Sequence, residues 1–196
     1  MLSERLRALL SGTMLQIGLV LGRTGLSPNV FTVIGFVAVS ANAVLIALGY
    51  LPFAGILLAV SLLLDALDGA VARATNQSSA YGAFLDSTLD RWSEVAIFFG
   101  LAVVMQRSGS ALDLALVYWA ICGSLLVSYT RARAEAAGIQ CKEGVFTRFE
   151  RMLVIIVGLL TSQLTLAVGA IAILASLTAA QRLLYVWQQT KRVAPH

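Results

Sequence analysis

From residue 30 onward the chain alternates long apolar runs with short polar, glycine or proline breaks. "SPN" at 27–29 reads as a turn and helix start, "GYLP" at 49–52 as a tight turn, and "NQSS" at 76–79 and "QRSGS" at 106–110 as further breaks. The apolar runs between them predict helices over 30–49, 53–75, 81–105 and 111–136. The uncharged stretch 152–180 is too long for one membrane crossing. Broken near 161–163, it predicts helices over roughly 147–162 and 164–187.

The first 26 residues follow a different pattern. Leu2, Leu6, Leu9 and Leu10 recur at helical spacing with Glu4, Arg5 and Arg7 between them, which predicts an amphipathic helix lying in the membrane interface. A signal peptide fits less well, because the apolar stretch is short and interrupted and no A-x-A-like site follows it. The expected fold is therefore an all-α integral membrane protein of one domain, 1–196, with an interfacial helix over 1–26 and a six-helix bundle over 30–190.

Composition supports this reading: 59% of the 196 residues are hydrophobic and 12% charged, far from the balance of a soluble domain. The net charge is +4, but the position of the basic residues says more than their sum. With six spans both termini share a side, and every Lys and Arg except Arg107 falls on that side or in the half-spans next to it. Both termini and the acidic segment described below are then expected to face the cytoplasm. The "NQS" sequon carries no meaning on that side. No basic stripe interleaved with aromatics offers a nucleic-acid surface; anionic lipid or phosphate is the expected partner. Cys122 and Cys141 form no CxxC pair or Cys/His cluster, and the only histidine is His196, so zinc and histidine-triad chemistry are excluded.

Against this apolar background stand four aspartates. Asp65 and Asp68 are three residues apart and Asp86 and Asp90 four apart, so each pair shares one face of its helix. The two helices are consecutive, and as antiparallel neighbours they would bring all four carboxylates together at one end of a hairpin. Such a cluster repels itself unless protonated or neutralised. Hard oxygen donors without Cys or His suit Mg²⁺, Mn²⁺ or Ca²⁺, and four carboxylates can hold two such ions, the arrangement that stabilises phosphoryl displacement. Two alternatives stay open at this point: pairing with nearby arginines such as Arg73 and Arg91, or a cation or proton relay in a transporter. The chain shows no internal repeat of the kind transporters carry.

Asp65-x-x-Asp68-Gly69-x-x-Ala72-Arg73, followed by Gly82-x-x-x-Asp86-x-x-x-Asp90, closely resembles the signature of the CDP-alcohol phosphotransferases. That family is built of six transmembrane helices behind an amphipathic one. The resemblance implies a transferase in which a hydroxyl attacks the lipid-side phosphorus of a CDP-linked lipid and CMP leaves. It assigns two divalent cations, Mg²⁺ or Mn²⁺, to Asp65, Asp68, Asp86 and Asp90, with Asp90 also the general base. It places Asp68, Gly69, Ala72, Arg73 and Gly82 at the CDP-lipid, and "SPNVFT" adds Asn29 and Thr32 near the diphosphate. A homodimer is also implied by the family alone.

The acceptor has to be read elsewhere, from "SYTRARAEAAG" at 128–138, "RFER" at 148–151 and Arg182. Arginines in apolar segments are costly unless they meet an anion, and guanidinium suits phosphate. Lys191, Arg192 and Arg133 read as headgroup contacts or topology signals. For Arg148, Arg151 and Arg182 a phosphate pocket is the expectation, requiring an acceptor that carries its own phosphate, such as inositol 3-phosphate or glycerol 3-phosphate. These segments, with "LDSTLDRWSE", resemble the phosphatidylinositol-phosphate and archaetidylinositol-phosphate synthases of the family. That subgroup implies Ser128, Arg131, Arg148, Arg151 and Arg182 as the acceptor site. Glycerophosphate-accepting members fit less well, because they commonly have a lysine where this chain has Arg91.

Overall fold

The computed structural model describes residues 27–74, 79–107, 109–141 and 144–193, with the backbone alone for 63–74 and 192–193. The expected interfacial helix over 1–26 lies outside these residues. Among them are six helices: α1 Pro28–Leu48, α2 Leu51–Ala74, α3 Ala80–Gln106, α4 Ala111–Ala136, α5 Arg148–Thr161 and α6 Leu164–Val193. Each agrees with its expected run to within a few residues, except that α6 continues past Trp187.

The boundaries follow local chemistry. Pro28 opens α1 at the first helical position, where its missing N–H costs nothing. Gly49, left-handed at φ 93°, ends it, with Gly49 N–H donating to Ile46 O and Tyr50 N–H to Leu45 O. Ser79 and Ser110 cap α3 and α4 by accepting from the N–H groups of Gly82 and Asp113. At α5, Glu150 reaches back to accept from Thr147 N–H at 2.9 Å.

The principal helix contacts form a closed cycle in the order α1, α3, α4, α6, α5, α2. This differs from a simple hairpin of α2 on α3: among the described residues, both pack chiefly on α1. Small residues explain the preference. A Cβ on Gly100 of α3 would stand 2.4 Å from Ala43 O of α1, so the two backbones approach as only glycine permits. Gly100→Val is expected to force these helices apart at a cost of about 1–3 kcal/mol, read as a lower melting temperature in detergent. Asn42 of α1 donates to Ala54 O of α2 at 2.9 Å and ties the other flank.

The core runs through Ile46, Leu58, Ile97, Phe98, Leu101, Ile155, Leu159 and Ile171. Outside, Ile34, Val37 and Val44 are more than half exposed. So much apolar surface on the outside of a bundle is at home in lipid, not water. By length and composition α1, α4 and 164–191 of α6 can each cross a membrane.

Arg107, the one basic residue expected on the opposite side, sits just beyond the end of α3. It donates to Ala47 O at 2.6 Å and Leu48 O at 3.4 Å, satisfying the open carbonyls that end α1. At the other end of α3 lie Asp86 and Asp90, and there the charged residues gather.

Candidate active site

The ends of several helices supply this region. The N-terminal turns of α1 and α3 meet at Asn29 and Gly82: a Cβ on Gly82 would stand 3.0 Å from Asn29 Oδ1 and 3.1 Å from Ser79 Oγ. Thr32, one turn further along α1, donates to Pro28 O at 3.2 Å. Two groups nominated from separate parts of the sequence for the CDP-lipid, Asn29 and Gly82, are thus neighbours. Asp65, Asp68, Gly69, Ala72 and Arg73 lie in the C-terminal part of α2, and their side chains fall outside the described residues.

Asp86 and Asp90 follow one another by a turn on α3. Asp90 Oδ1 pairs with Arg148 Nη1 of α5 at 2.9 Å and Oδ2 with Arg91 Nη1 at 3.5 Å; Arg91 also donates to Ser87 O. Asp90 and Arg148 keep 17% and 20% of their side-chain surface exposed, so both remain reachable from outside the bundle.

One turn deeper the same two helices meet again, through Glu94 and Arg151. Arg151 Nε donates to Glu94 Oε1 at 2.6 Å and Nη2 to Oε2 at 3.0 Å, while Nη1 donates to Phe146 O at 3.4 Å. This fork is 0% and 1% exposed. Beyond it Ile97, Phe98 and Ile155 begin the apolar core, so the fork forms the floor of the charged region.

The remaining arginines divide by environment. Arg182 of α6 is buried and donates through Nη1 to Val127 O of α4. Ser128, the next residue, donates to Ser124 O at 3.4 Å and is therefore beside Arg182's anchor. Gly144 lies over Arg182, where a Cβ would stand 2.9 Å from the guanidinium Nε. Arg131 is an exposed residue in an i,i+4 pair with Glu135 at 2.9 Å. Arg182 is within electrostatic range of Arg131, Arg151 and Glu135, and Arg91 of Asp90, Glu94, Arg148 and Arg151. Among the described residues a charged cluster thus runs from Asp90 to Arg182.

Of the nominated acceptor residues, the structure anchors Arg182 on the Val127 carbonyl, next in the chain to Ser128, and sets Arg148 against Asp90. Arg131 is on the rim. Arg151 has all three of its nitrogens engaged by protein acceptors below the exposed part of the site. Sequence reasoning gave Glu94 no role, although it stands four residues after Asp90 in an apolar helix. The argument that singled out the aspartates applies equally to it.

For cations, the described half of the donor set fits: Asp86 and Asp90 offer hard carboxylate oxygens one turn apart on one helix, suited to Mg²⁺ or Mn²⁺. Together these features define a class of membrane-embedded, all-helical proteins with an acidic site flanked by guanidinium groups at one end of the bundle. The chain belongs to the CDP-alcohol phosphatidyltransferase family, whose sequence profile matches residues 25–182. It is similar to the archaetidylinositol phosphate synthase of Pyrococcus horikoshii, 39% identical over 179 residues and 91% of each chain. The phosphatidylinositol phosphate synthase of Cutibacterium acnes is 37% identical over 162 residues, 80% of this chain and 76% of its own. The crystal structure of the Mycobacterium tuberculosis phosphatidylinositol phosphate synthase with CDP-DAG bound matches with a TM-score of 0.83 at 32% identity. It covers 89% of this chain and 93% of that one. That enzyme has also been solved with manganese and citrate.

Proposed function

We propose that this chain transfers a phosphatidyl-type group from a CDP-linked lipid to a hydroxyl of inositol 3-phosphate, releasing CMP and forming a phosphatidylinositol-phosphate-type lipid. The observation that carries this reading is the Asp90–Arg148 contact at 2.9 Å, which sets a carboxylate suited to take a hydroxyl proton beside a guanidinium suited to hold a phosphate. An acceptor bearing both groups can span the two.

In this reading Asp90 takes the proton as the acceptor oxygen bonds to the lipid-side phosphorus and the bond from that phosphorus to the CMP oxygen breaks. Arg148, Arg182, Ser128 and the rim residue Arg131 orient the acceptor phosphate, and positioning accounts for much of the rate. Asn29, Thr32, Asp68, Gly69, Ala72, Arg73 and Gly82 line the CDP-lipid side. Two divalent cations held by Asp65, Asp68, Asp86 and Asp90 would supply neutralisation of the diphosphate charge. All six helices span the plasma membrane of a prokaryote with termini and site cytoplasmic, and the chain pairs as a homodimer.

The test is acceptor choice. Membranes containing the chain are given radiolabelled CDP-lipid with inositol 3-phosphate, glycerol 3-phosphate, free inositol or serine. Lipid product is expected with inositol 3-phosphate and a divalent cation, and lost on chelation; turnover with free inositol but not its phosphate would sink the assignment. On the donor side, Gly82→Val fills the space beside Asn29. It is expected to raise the Michaelis constant for CDP-lipid by about tenfold or more while leaving that for the acceptor near its wild-type value.

A further inference from the structure

α5 is the shortest of the described helices and brings Arg148 to the site. What holds it at the right depth is not obvious from its neighbours. Its principal contacts are with α2 and α6, whereas Asp90 is on α3, which is not adjacent to α5 in the helix cycle. The connection before it places Gly138 at φ 78° and Gly144 at φ 126°, left-handed positions that favour glycine and set little constraint of their own. Across that gap α3 and α5 make two parallel rungs, Asp90 with Arg148 and, one turn deeper on both helices, Glu94 with Arg151.

We infer that Glu94 is a positioning residue for the acceptor side of the site: through its fork with Arg151 it fixes the depth and rotation of α5, and so the meeting of Arg148 with Asp90. The geometry is directional. Two hydrogen bonds between planar groups tolerate neither a slip of α5 along α3 nor a turn about its axis, as packed aliphatic side chains would. The third bond, from Arg151 Nη1 to Phe146 O, extends the hold to the residue just before the N-cap of α5. Stability alone does not explain charges at this position, since a fully buried pair replaced by apolar side chains of similar volume is often neutral or stabilising. A pair that specifies register explains why charge stands there.

This inference rests on the acceptor reading above, and the experiment separates the two. Glu94→Leu with Arg151→Met removes both charges together. The double variant is expected to fold and melt near the wild type, to show an acceptor Michaelis constant raised about tenfold and to keep its CDP-lipid constant within about twofold. Adding Arg148→Ala to it should raise the acceptor constant no further than Arg148→Ala does alone, because the two changes act through one group. Glu94→Gln, which keeps the shape of the side chain but only one of the two acceptors of the fork, should show the same selectivity to a smaller degree. A double variant and a Glu94→Gln variant with unchanged acceptor constants, or with equal changes for both substrates, would overturn the positioning role. If Arg148→Ala itself leaves the acceptor constant unchanged, the acceptor reading fails, and the positioning role with it.

Discussion

Asp90→Asn is expected to reduce CMP release from CDP-lipid by about a hundredfold to ten-thousandfold, the range a general base contributes, while the protein still folds. Asparagine keeps the shape of the side chain, and its one carbonyl oxygen can still accept from Arg148 at 2.9 Å, while the amide NH₂ in place of the second oxygen gives up the longer contact with Arg91 at 3.5 Å. It cannot take the hydroxyl proton. Asp90 is partly exposed, so the weakened ion pairs should move the melting temperature little. Rate of CMP release and thermal melting in detergent, measured on the same preparation, separate the two effects. Near-wild-type release would remove Asp90 from the chemistry, and parallel loss of folding and release would make its role structural.

Arg151→Met alone should behave in the opposite way. It leaves the Glu94 carboxylate fully buried without its fork, and breaking such a pair costs about 3–5 kcal/mol, enough to lower the melting temperature sharply or to stop the protein accumulating. Adding Glu94→Leu should restore most of the loss, because the stranded charge disappears with it. This separates Arg151 from the phosphate-holding role that its place in "RFER" suggests: an arginine that only bound substrate would leave melting almost unchanged when removed. Recovery by the second substitution is the decisive measurement. A single variant that melts like the wild type would show that the fork contributes nothing to the fold.

Much of this could be read along the chain. The helix limits follow from apolar runs ended by Ser-Pro-Asn, Gly-Tyr-Leu-Pro and Gln-Arg-Ser-Gly-Ser, and turn chemistry of this kind is local, so it needs no knowledge of what packs where. The break inside the uncharged stretch came from length, and Ser162, left-handed at φ 56°, is where it falls. The acidic signature is also local, because a three- or four-residue spacing is enough to put two carboxylates on one helical face. Glu94 carried the same signal, four residues after Asp90, yet spacing along one helix gives no hint that its partner is an arginine on another.

The partners of the arginines are the part no local pattern contains. Arg148 and Arg151 are three residues apart, the same residue type on the same helix face, and in sequence they look alike. On the chain alone, helix positions and the family were determined. Only the packing of the bundle decided that Arg148 sits at the partly exposed level of Asp90, while Arg151 is one turn deeper, at the dry level of Glu94. The reason is that a turn of helix along the bundle changes solvent access from partial to none. Solvent access decides whether a guanidinium is open to a phosphate or must be matched by a protein carboxylate.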